Sequence, residues 1–216
     1  MDYEGEMDVF ADRTEAGRIL ASALEGRLGA GALVLGVPRG GVVVAAEVAR
    51  TLALELDVVI VRKIGAPGQP EYAIGAIDED GRVIGVRPGV ADEAYLRCAA
   101  DEGRAEIARR LTAYRGGRAR PRMIGREVAI VDDGIATGFT LKAAVESVRH
   151  RGAERVLVAA PVAPPGAVED MSRVADEVVV LDEPYGFRAV GQFYRDFDQT
   201  TDAEVVQLLA EAWSRM

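Results

Sequence analysis

Two adjacent carboxylates stand at the centre of residues Val128–Thr140, which read Val-Ala-Ile-Val-Asp-Asp-Gly-Ile-Ala-Thr-Gly-Phe-Thr. Asp132 and Asp133 follow four apolar residues, a run of strand length. Further along, apolar residues recur at the i, i+3, i+4, i+7 spacing of a half-buried helix, namely Leu141, Ala144, Val145 and Val148. The stretch therefore predicts a strand, a polar turn and a helix start. Carboxylates at the end of such a strand can accept hydroxyl protons or bind a metal ion.

The predicted helix start is a place where an anion can bind. Its unpaired backbone N–H groups, roughly those of residues 136–140, point away from the helix and carry the positive end of its dipole. A neighbouring acidic pair would repel an anion unless the carboxylates accept hydroxyl protons or meet a metal ion. A sugar phosphate satisfies both demands. The alternative is an ordinary turn between a strand and a helix, with two surface carboxylates.

A second turn of suitable composition lies at Val37–Gly41, which reads Val-Pro-Arg-Gly-Gly and follows the apolar run Ala32–Val37. Two glycines let backbone amides approach an anion closely, and Arg39 can add charge-assisted hydrogen bonds. A tight turn with a solvated arginine is the alternative. Because ligands of open α/β sheets bind at the carboxyl ends of strands, both turns are expected on one sheet edge.

Two more basic residues are expected on the same edge. Arg62 and Lys63 directly follow the predicted strand Leu56–Val61. Both charges are positioned to face an anion, although a solvated strand end is the simpler interpretation.

Together these residues resemble the phosphoribosyl pyrophosphate (PRPP) signature of the type I phosphoribosyltransferases, which has an apolar strand, two acidic residues and a Thr/Gly loop. The resemblance implies that Asp132 and Asp133 hold the ribose hydroxyls, that residues 136–140 hold the 5-phosphate, and that residues 38–41 form the pyrophosphate loop. It assigns catalytic roles to Asp132, Asp133, Arg39 and Lys63, and Mg²⁺ binding to Asp132 and Asp133. It assigns substrate binding to Pro38, Gly40, Gly41, Arg62, Gly134, Ile135, Ala136, Thr137, Gly138, Phe139, Thr140 and Phe187.

The activity that the resemblance implies is transfer of a phosphoribosyl group from Mg-PRPP to a nitrogen acceptor, with a nucleobase as the expected acceptor and release of pyrophosphate. A homodimer is also implied. The chain departs from the 6-oxopurine enzymes of the family, because Ala136 replaces an aspartate and residues 158–164 contain no lysine. The acceptor therefore stays open, and a non-catalytic PRPP-binding regulator is the alternative. An unrelated nucleotide-binding protein is disfavoured, since no G-x-G-x-x-G or Walker pattern is present.

The order of patterns predicts an α/β fold in which helices flank a mostly parallel sheet. A small hairpin subdomain is expected where Glu71–Ile77 and Arg82–Val86 flank a turn, and the family places a flexible lid in this interval. We expect a single domain over residues 1–216, with a core at about 12–182 and a C-terminal hood at about 183–216. In the hood, Tyr185 and Phe187 are candidate base contacts. Phe193, Tyr194 and Phe197 are equally expected to pack the hood on the core.

Composition limits the classes of partner. With 35 acidic and 26 basic residues the formal charge is −9, which argues against binding to nucleic acid or to a membrane surface. No apolar stretch approaches about 18 residues and no secretory pattern is visible, so a reducing cytoplasm is expected. Cys98 is expected to be packed, and His150 to end a helix. The basic stretch Arg115–Arg122 is interpreted as a solvated connector, and a basic lid or a subunit contact that reaches a phosphate is the alternative.

Overall fold

A computed structural model describes residues 9–215, apart from the side chain of Glu71. The helices are α1 (Arg13–Leu24), α2 (Gly40–Leu52), α3 (Glu93–Arg115), α4 (Phe139–His150), α5 (Ala167–Met171) and α6 (Asp202–Trp213), with a 3₁₀ turn at Val190–Phe193. The strands are β1 (Leu33–Gly36), β2 (Glu55–Val58), β3 (Arg62–Ala66), β4 (Gln69–Ile77), β5 (Val83–Ile84), β6 (Glu127–Val131), β7 (Arg155–Val162) and β8 (Glu177–Asp182).

The central sheet has five parallel strands in the order β2-β1-β6-β7-β8, which confirms the predicted fold class. The chain leaves β1 toward β2 on one side, whereas it leaves β6 toward β7 on the other. The strand order therefore reverses between β1 and β6, and such a switch point is where open α/β sheets bind ligands. Gly36 pairs with Val131, so the carboxyl ends of these two strands lie side by side.

The strands carry apolar residues on both faces of the sheet, because helices cover both faces. One face packs against α1, α2 and α6, and the other packs against α4 and α5. Helix α3 packs against α6 and the hairpin strands β3 and β4. Helix α1 begins after Asp12, whose side chain accepts a hydrogen bond from the N–H of Glu15. It lies very close to α2, since a Cβ atom on Gly17 would be 2.7 Å from that of Glu47.

The hairpin subdomain is larger than predicted. β4 pairs with β5 as expected, but β4 also pairs antiparallel with β3. The expected strand Leu56–Val61 was wrong at its end, because β2 stops at Val58 and the chain turns away. The cause is a buried carboxylate, since Glu79 accepts a hydrogen bond from the N–H of Ile60. Arg62 and Lys63 therefore begin the hairpin rather than end a core strand.

A buried group of charges joins the hairpin to the core. Arg115, which is 4% exposed, donates to Asp57 of β2 and to Glu79 of the hairpin, each at 3.0 Å. It also donates to the carbonyl of Val58 at 3.0 Å. Arg115 is thus the buried last residue of α3, and its assignment to a solvated connector was wrong. The sequence pattern conceals this role because the partners are 58 and 36 residues away.

Two smaller expectations had different outcomes. Cys98 is exposed on α3, so its expected burial was wrong. His150 ends α4, as predicted, with Nδ1 lying 3.0 Å from the carbonyl oxygen of Glu146. Across residues 9–215, the helices all fall short of the length or apolarity that would let them cross a bilayer.

Replacing Arg115 with methionine should strongly destabilise the protein, because Asp57 would stay buried without a cation. Glu79 would keep only its longer ion pairs, with Arg151 at 3.5 Å and Arg120 at 3.9 Å. We expect a loss of about 3–5 kcal/mol in the free energy of unfolding, measured by urea titration. Arg97→Met on the same helix is the matched control, since its ion pair with Glu93 is exposed and worth only about 0.3–0.5 kcal/mol. Equal losses in both variants would contradict a structural role for the buried charges.

Candidate functional site

The turn after β1 and the turn after β6 are packed against each other at the switch point. A Cβ atom on Gly41 would lie 2.7 Å from Asp132 Oδ1 and 2.9 Å from the carbonyl oxygen of Val131. A Cβ atom on Gly40 would overlap Asp133 Oδ2. Two adjacent glycines are needed because the acidic pair occupies the space where their side chains would be. The structure thus brings together the two turns that sequence patterns singled out.

Both turns present backbone donors. Within residues 9–215, the N–H groups of residues 39–41 and 136–140 have no protein acceptor. The first set opens α2, and the second leads through Gly138, which has φ 68°, into α4. Ile135 lies outside the second set because its N–H donates to the carbonyl of Val162 at 2.8 Å. Two helix starts with unsatisfied donors therefore flank the acidic pair, and each can bind an anionic group.

Each carboxylate of the acidic pair has one oxygen held by the protein. Asp132 Oδ1 accepts from the N–H of Asp133 at 2.9 Å, and Asp133 Oδ2 accepts from Arg13 Nε at 2.7 Å. In the described part of the chain, Asp132 Oδ2 and Asp133 Oδ1 accept no hydrogen bond from protein. One fixed oxygen orients each side chain, and the other is left for a hydroxyl group or a cation.

The two carboxyl groups differ in their electrostatic environment. Burial, followed by the negative charge of Asp133, raises the pKa of Asp132 well above its usual range. Asp133 instead faces the guanidinium group of Arg13. Nearby, burial and then the charge of Asp133 raise the pKa of the Tyr194 phenol. The hydroxyl of Tyr194 stays protonated and donates to the backbone carbonyl of Asp133 at 2.6 Å.

Arg13 is a site residue that sequence patterns did not reveal. It is the first residue of α1, and its side chain is 11% exposed. Besides Asp133, its Nη1 donates to the carbonyl of Asp198 at 2.8 Å, and its guanidinium lies 3.8 Å from the ring centre of Phe197. No motif could have indicated this arginine, because 120 residues separate it from its carboxylate partner.

The segment after β8 covers the acidic turn. Val190 contacts Gly134 so closely that a Cβ atom there would lie 2.5 Å from Val190 Cγ1. Phe193 and Tyr194 are buried, which agrees with the expected packing of the aromatic residues. Phe187, a candidate base contact, stacks on Phe193 with ring centres 5.4 Å apart. Tyr185 is 97% exposed.

Arg39 points toward helices rather than toward the acidic pair. Its Nη1 lies 4.0 Å from Asp202 Oδ1, while Arg109 Nη1 lies 3.6 Å from the other oxygen of Asp202. Tyr114 donates to Asp202 Oδ1 at 2.7 Å, which lowers the pKa of Asp202, whereas burial foremost raises the pKa of Tyr114 to about 12. Two arginines therefore share one carboxylate, an arrangement in which an anionic ligand could replace it.

The remaining predicted residues lie either at the starts of α2 and α4 or on the hairpin strand β3. Ala136 and Thr137 are exposed, and Phe139 and Thr140 are half-buried in the first turn of α4. Pro38 precedes the N-cap Arg39 and is half-buried. Arg62 and Lys63 are exposed on β3 and form no ion pair within residues 9–215, so the structure does not join them to the acidic pair. Among the described residues, no three His, Cys, Asp or Glu side chains cluster as a metal site.

Comparison with known proteins gives consistent matches. Residues 15–194 match the model of the phosphoribosyl transferase domain family. A Mycobacterium tuberculosis protein named "Putative phosphoribosyl transferase" is 49% identical over 210 residues, which are 95% of this chain and 47% of that protein. The chain spans about half the length of the curated relatives it matches.

Two further matches cover different extents. The crystal structure of the protein TT1426 from Thermus thermophilus has a TM-score of 0.84 and 47% identity, covering 94% of this chain and 98% of that chain. A ribose-phosphate pyrophosphokinase of Pyrococcus furiosus is 48% identical over only 58 residues, which are 26% of this chain and 21% of that protein.

Gly41→Ala should destabilise the protein because the new methyl group would meet both a carboxylate and the backbone of β6. We expect a loss of about 1–3 kcal/mol, which is a drop of roughly 2–12 °C in Tm for a chain of this size. Gly31→Ala is the control, because nothing lies within 4 Å of a Cβ atom there. Equal Tm values for the two variants would show that the turn is not packed as described.

Asp132→Asn should stabilise the protein at neutral pH. A carboxyl group whose pKa is raised by folding costs stability as the pH rises through that pKa, and costs nothing below its unfolded pKa of about 3.9. In a metal-free buffer with EDTA, we expect Tm to rise by at least about 2 °C, with the gain disappearing near that acidic pH. Asp101→Asn, on an exposed helix surface, should change Tm little. A lower Tm for Asp132→Asn at neutral pH would contradict the raised pKa.

Proposed function

The chain belongs to the phosphoribosyl transferase family, and we propose that it transfers the phosphoribosyl group of PRPP to a nitrogen atom of a small-molecule acceptor, with release of pyrophosphate. The observation that carries this proposal is the arrangement at the switch point. An acidic pair with two free oxygens lies between two helix starts that have free N–H donors. PRPP has the matching groups, since its ribose hydroxyls lie between a 5-phosphate and a pyrophosphate.

The proposed binding mode follows from these contacts. The ribose hydroxyls donate to Asp132 Oδ2 and Asp133 Oδ1, the two oxygens without a protein donor. The 5-phosphate accepts from the N–H groups of residues 136–140, and the pyrophosphate accepts from those of residues 39–41. Because backbone donors at helix starts are fixed before the ligand arrives, the protein does not have to order side chains to bind the phosphates.

In the proposed reaction, the bond between ribose C1 and the pyrophosphate oxygen breaks while a bond forms between C1 and the acceptor nitrogen. Positive charge develops on the ribose and negative charge on the leaving group. The carboxylates lie on the ribose side and the amide donors of residues 39–41 on the leaving-group side, which suits this separation of charge. Fixing both ends of PRPP leaves C1 as the point of attack.

Mg²⁺ fits the donor set of this site. Magnesium commonly binds one or two carboxylates together with substrate phosphates and water, and the described residues offer two carboxylates without a third acidic neighbour. Asp132 and Asp133 would hold it, and the ion would neutralise charge on the pyrophosphate. Arg39 would contribute further positive charge if the pyrophosphate displaced Asp202 from it.

We propose a nucleobase as the acceptor. The exposed part of the half-buried Phe187 ring supports this, because one ring surface already stacks on Phe193 and bases stack readily on aromatic rings. Ala136, and the absence of lysine from residues 158–164, favour an acceptor other than a 6-oxopurine. A regulator that binds PRPP without turnover is the second candidate, since the same two departures would follow from loss of the acceptor site.

Further proposals concern organisation. We propose one domain over residues 1–216 with a core at about 12–182 and a hood at about 183–216, because one apolar cluster joins α1 to α6. A homodimer is proposed from the family resemblance, and a cytoplasmic location from a sequence with one cysteine and no long apolar stretch. The charge of −9 supports the proposal that neither nucleic acid nor a membrane is a partner.

Isothermal titration with Mg-PRPP should give micromolar binding that is lost in the double variant Asp132→Asn, Asp133→Asn. We expect affinity to fall at least about 100-fold, because hydrogen bonds to charged groups are worth about 1.5–3 kcal/mol each. The matched control is Asp101→Asn, Glu102→Gln, which removes two adjacent charges from an exposed surface of α3. The control should bind PRPP as the wild type does.

Pyrophosphate release across a panel of nitrogen acceptors distinguishes the two candidate functions. Release with at least one acceptor supports the transferase. Binding of PRPP without release by any acceptor supports the regulator. If folded wild-type protein does not bind PRPP at millimolar concentration, both proposals are wrong.

A further inference from the structure

We propose that Arg13 is a positioning residue of this site, which fixes one oxygen of Asp133 so that the other is presented to a ribose hydroxyl. This inference rests on the proposed function. Arg13 comes from α1, outside both turns that carry the family resemblance. It reaches the site from the first turn of that helix and donates to Asp133 Oδ2 at 2.7 Å.

The guanidinium group of Arg13 is itself held from several directions. Nη1 donates to the carbonyl of Asp198 at 2.8 Å, and the ring centre of Phe197 lies 3.8 Å from the guanidinium carbon. The ring of Tyr194 is also near, with its centre 5.9 Å away. The side chain of Arg13 is 11% exposed. Its nitrogens donate hydrogen bonds and the face of its guanidinium group stacks on a ring, so it has little freedom to move. Its contact with Asp133 is therefore part of a built arrangement.

The space around this ion pair is shaped for it. A Cβ atom on Gly40 would lie 2.7 Å from Arg13 Nε and would overlap Asp133 Oδ2. The turn that opens α2 therefore closes over the ion pair, and α1 is kept in place by its close contact with α2 at Gly17. Because Asp133 Oδ2 is enclosed by Arg13 and Gly40, a ligand that meets this carboxylate must use Oδ1.

A lysine at position 13 could not make the same set of contacts. The planar guanidinium group donates from two nitrogens in fixed directions and stacks on an aromatic ring. An ammonium group could pair with Asp133 or reach the carbonyl of Asp198, but it would not stack on Phe197. We expect Arg13→Lys to keep the charge of the site and lose the fixed orientation of Asp133.

A double-mutant cycle tests whether Arg13 acts through Asp133. The dissociation constant of Mg-PRPP is measured for the wild type, Arg13→Met, Asp133→Asn and the double variant. Removing the outer-shell partners of metal ligands typically costs about 10- to 100-fold in metal affinity, and we expect Arg13→Met to weaken Mg-PRPP binding by a similar factor in the wild-type background. In the Asp133→Asn background, we expect less than about a twofold effect, because coupled residues do not give additive losses.

Arg18→Met is the matched control. Arg18 lies on the same helix and pairs with Glu47. Its side chain is exposed, and within residues 9–215 it forms no ion pair with Asp132 or Asp133. This variant should bind Mg-PRPP as the wild type does. Thermal unfolding of every variant checks whether the protein is folded. If Arg13→Met does not fold, Arg13→Lys in both backgrounds takes its place in the cycle.

The outcomes separate this inference from the function on which it rests. Equal losses from Arg13→Met in both backgrounds would show a general structural role, and the inference would be wrong. Unchanged affinity of Arg13→Met beside a wild type that binds PRPP would also overturn it, while leaving the proposed function intact. A wild type that does not bind PRPP overturns both.

Discussion

Two neighbouring carboxyl groups at the end of a buried strand impose the main constraint on this structure. Asp132 and Asp133 repel each other, and burial penalises the charge of Asp132. The protein meets this cost locally, with the N–H of Asp133 on one carboxylate and the guanidinium of Arg13 on the other. Close packing against Gly40 and Gly41 then follows, because no side chain would fit between the two turns. The chain therefore keeps an unfavourable acidic pair, of which Asp132 Oδ2 and Asp133 Oδ1 accept no hydrogen bond within residues 9–215.

A second group of buried charges, centred on Arg115, connects the hairpin to the central sheet. Arg115 lies between Asp57 of the central sheet and Glu79 of the hairpin, so it joins these two elements through buried ion pairs. Such a pair adds little net stability compared with apolar packing, but removing one partner is costly. The contribution of Arg115 is to fix the position of the hairpin relative to the sheet. The hairpin emerges beside the carboxyl end of β2 because Glu79 also holds the N–H of Ile60.

Sequence patterns predicted the elements that depend on neighbouring residues. They did not predict contacts between residues that are distant in sequence. The strands of the central sheet, apart from the end of β2, could be predicted from apolar runs, and the two turns and the start of α4 from neighbouring glycines and helical spacing. Arg13 and Arg115 could not, since their partners lie 120 and 58 residues away. Cys98 was misplaced for a simpler reason. It lies two residues before the buried Ala100, which puts it on nearly the opposite side of the helix.

The departure at Ala136 has a limited physical meaning. In the proposed site the phosphate is bound by the N–H groups of residues 136–140, and an alanine supplies that donor as well as an aspartate does. What changes is the charge beside the loop, because an exposed methyl group replaces a carboxylate. In the proposed binding mode, sugar-phosphate binding would therefore depend on the backbone of this loop, and acceptor choice on its side chains. A change of acceptor would then not require the phosphate site to be rebuilt.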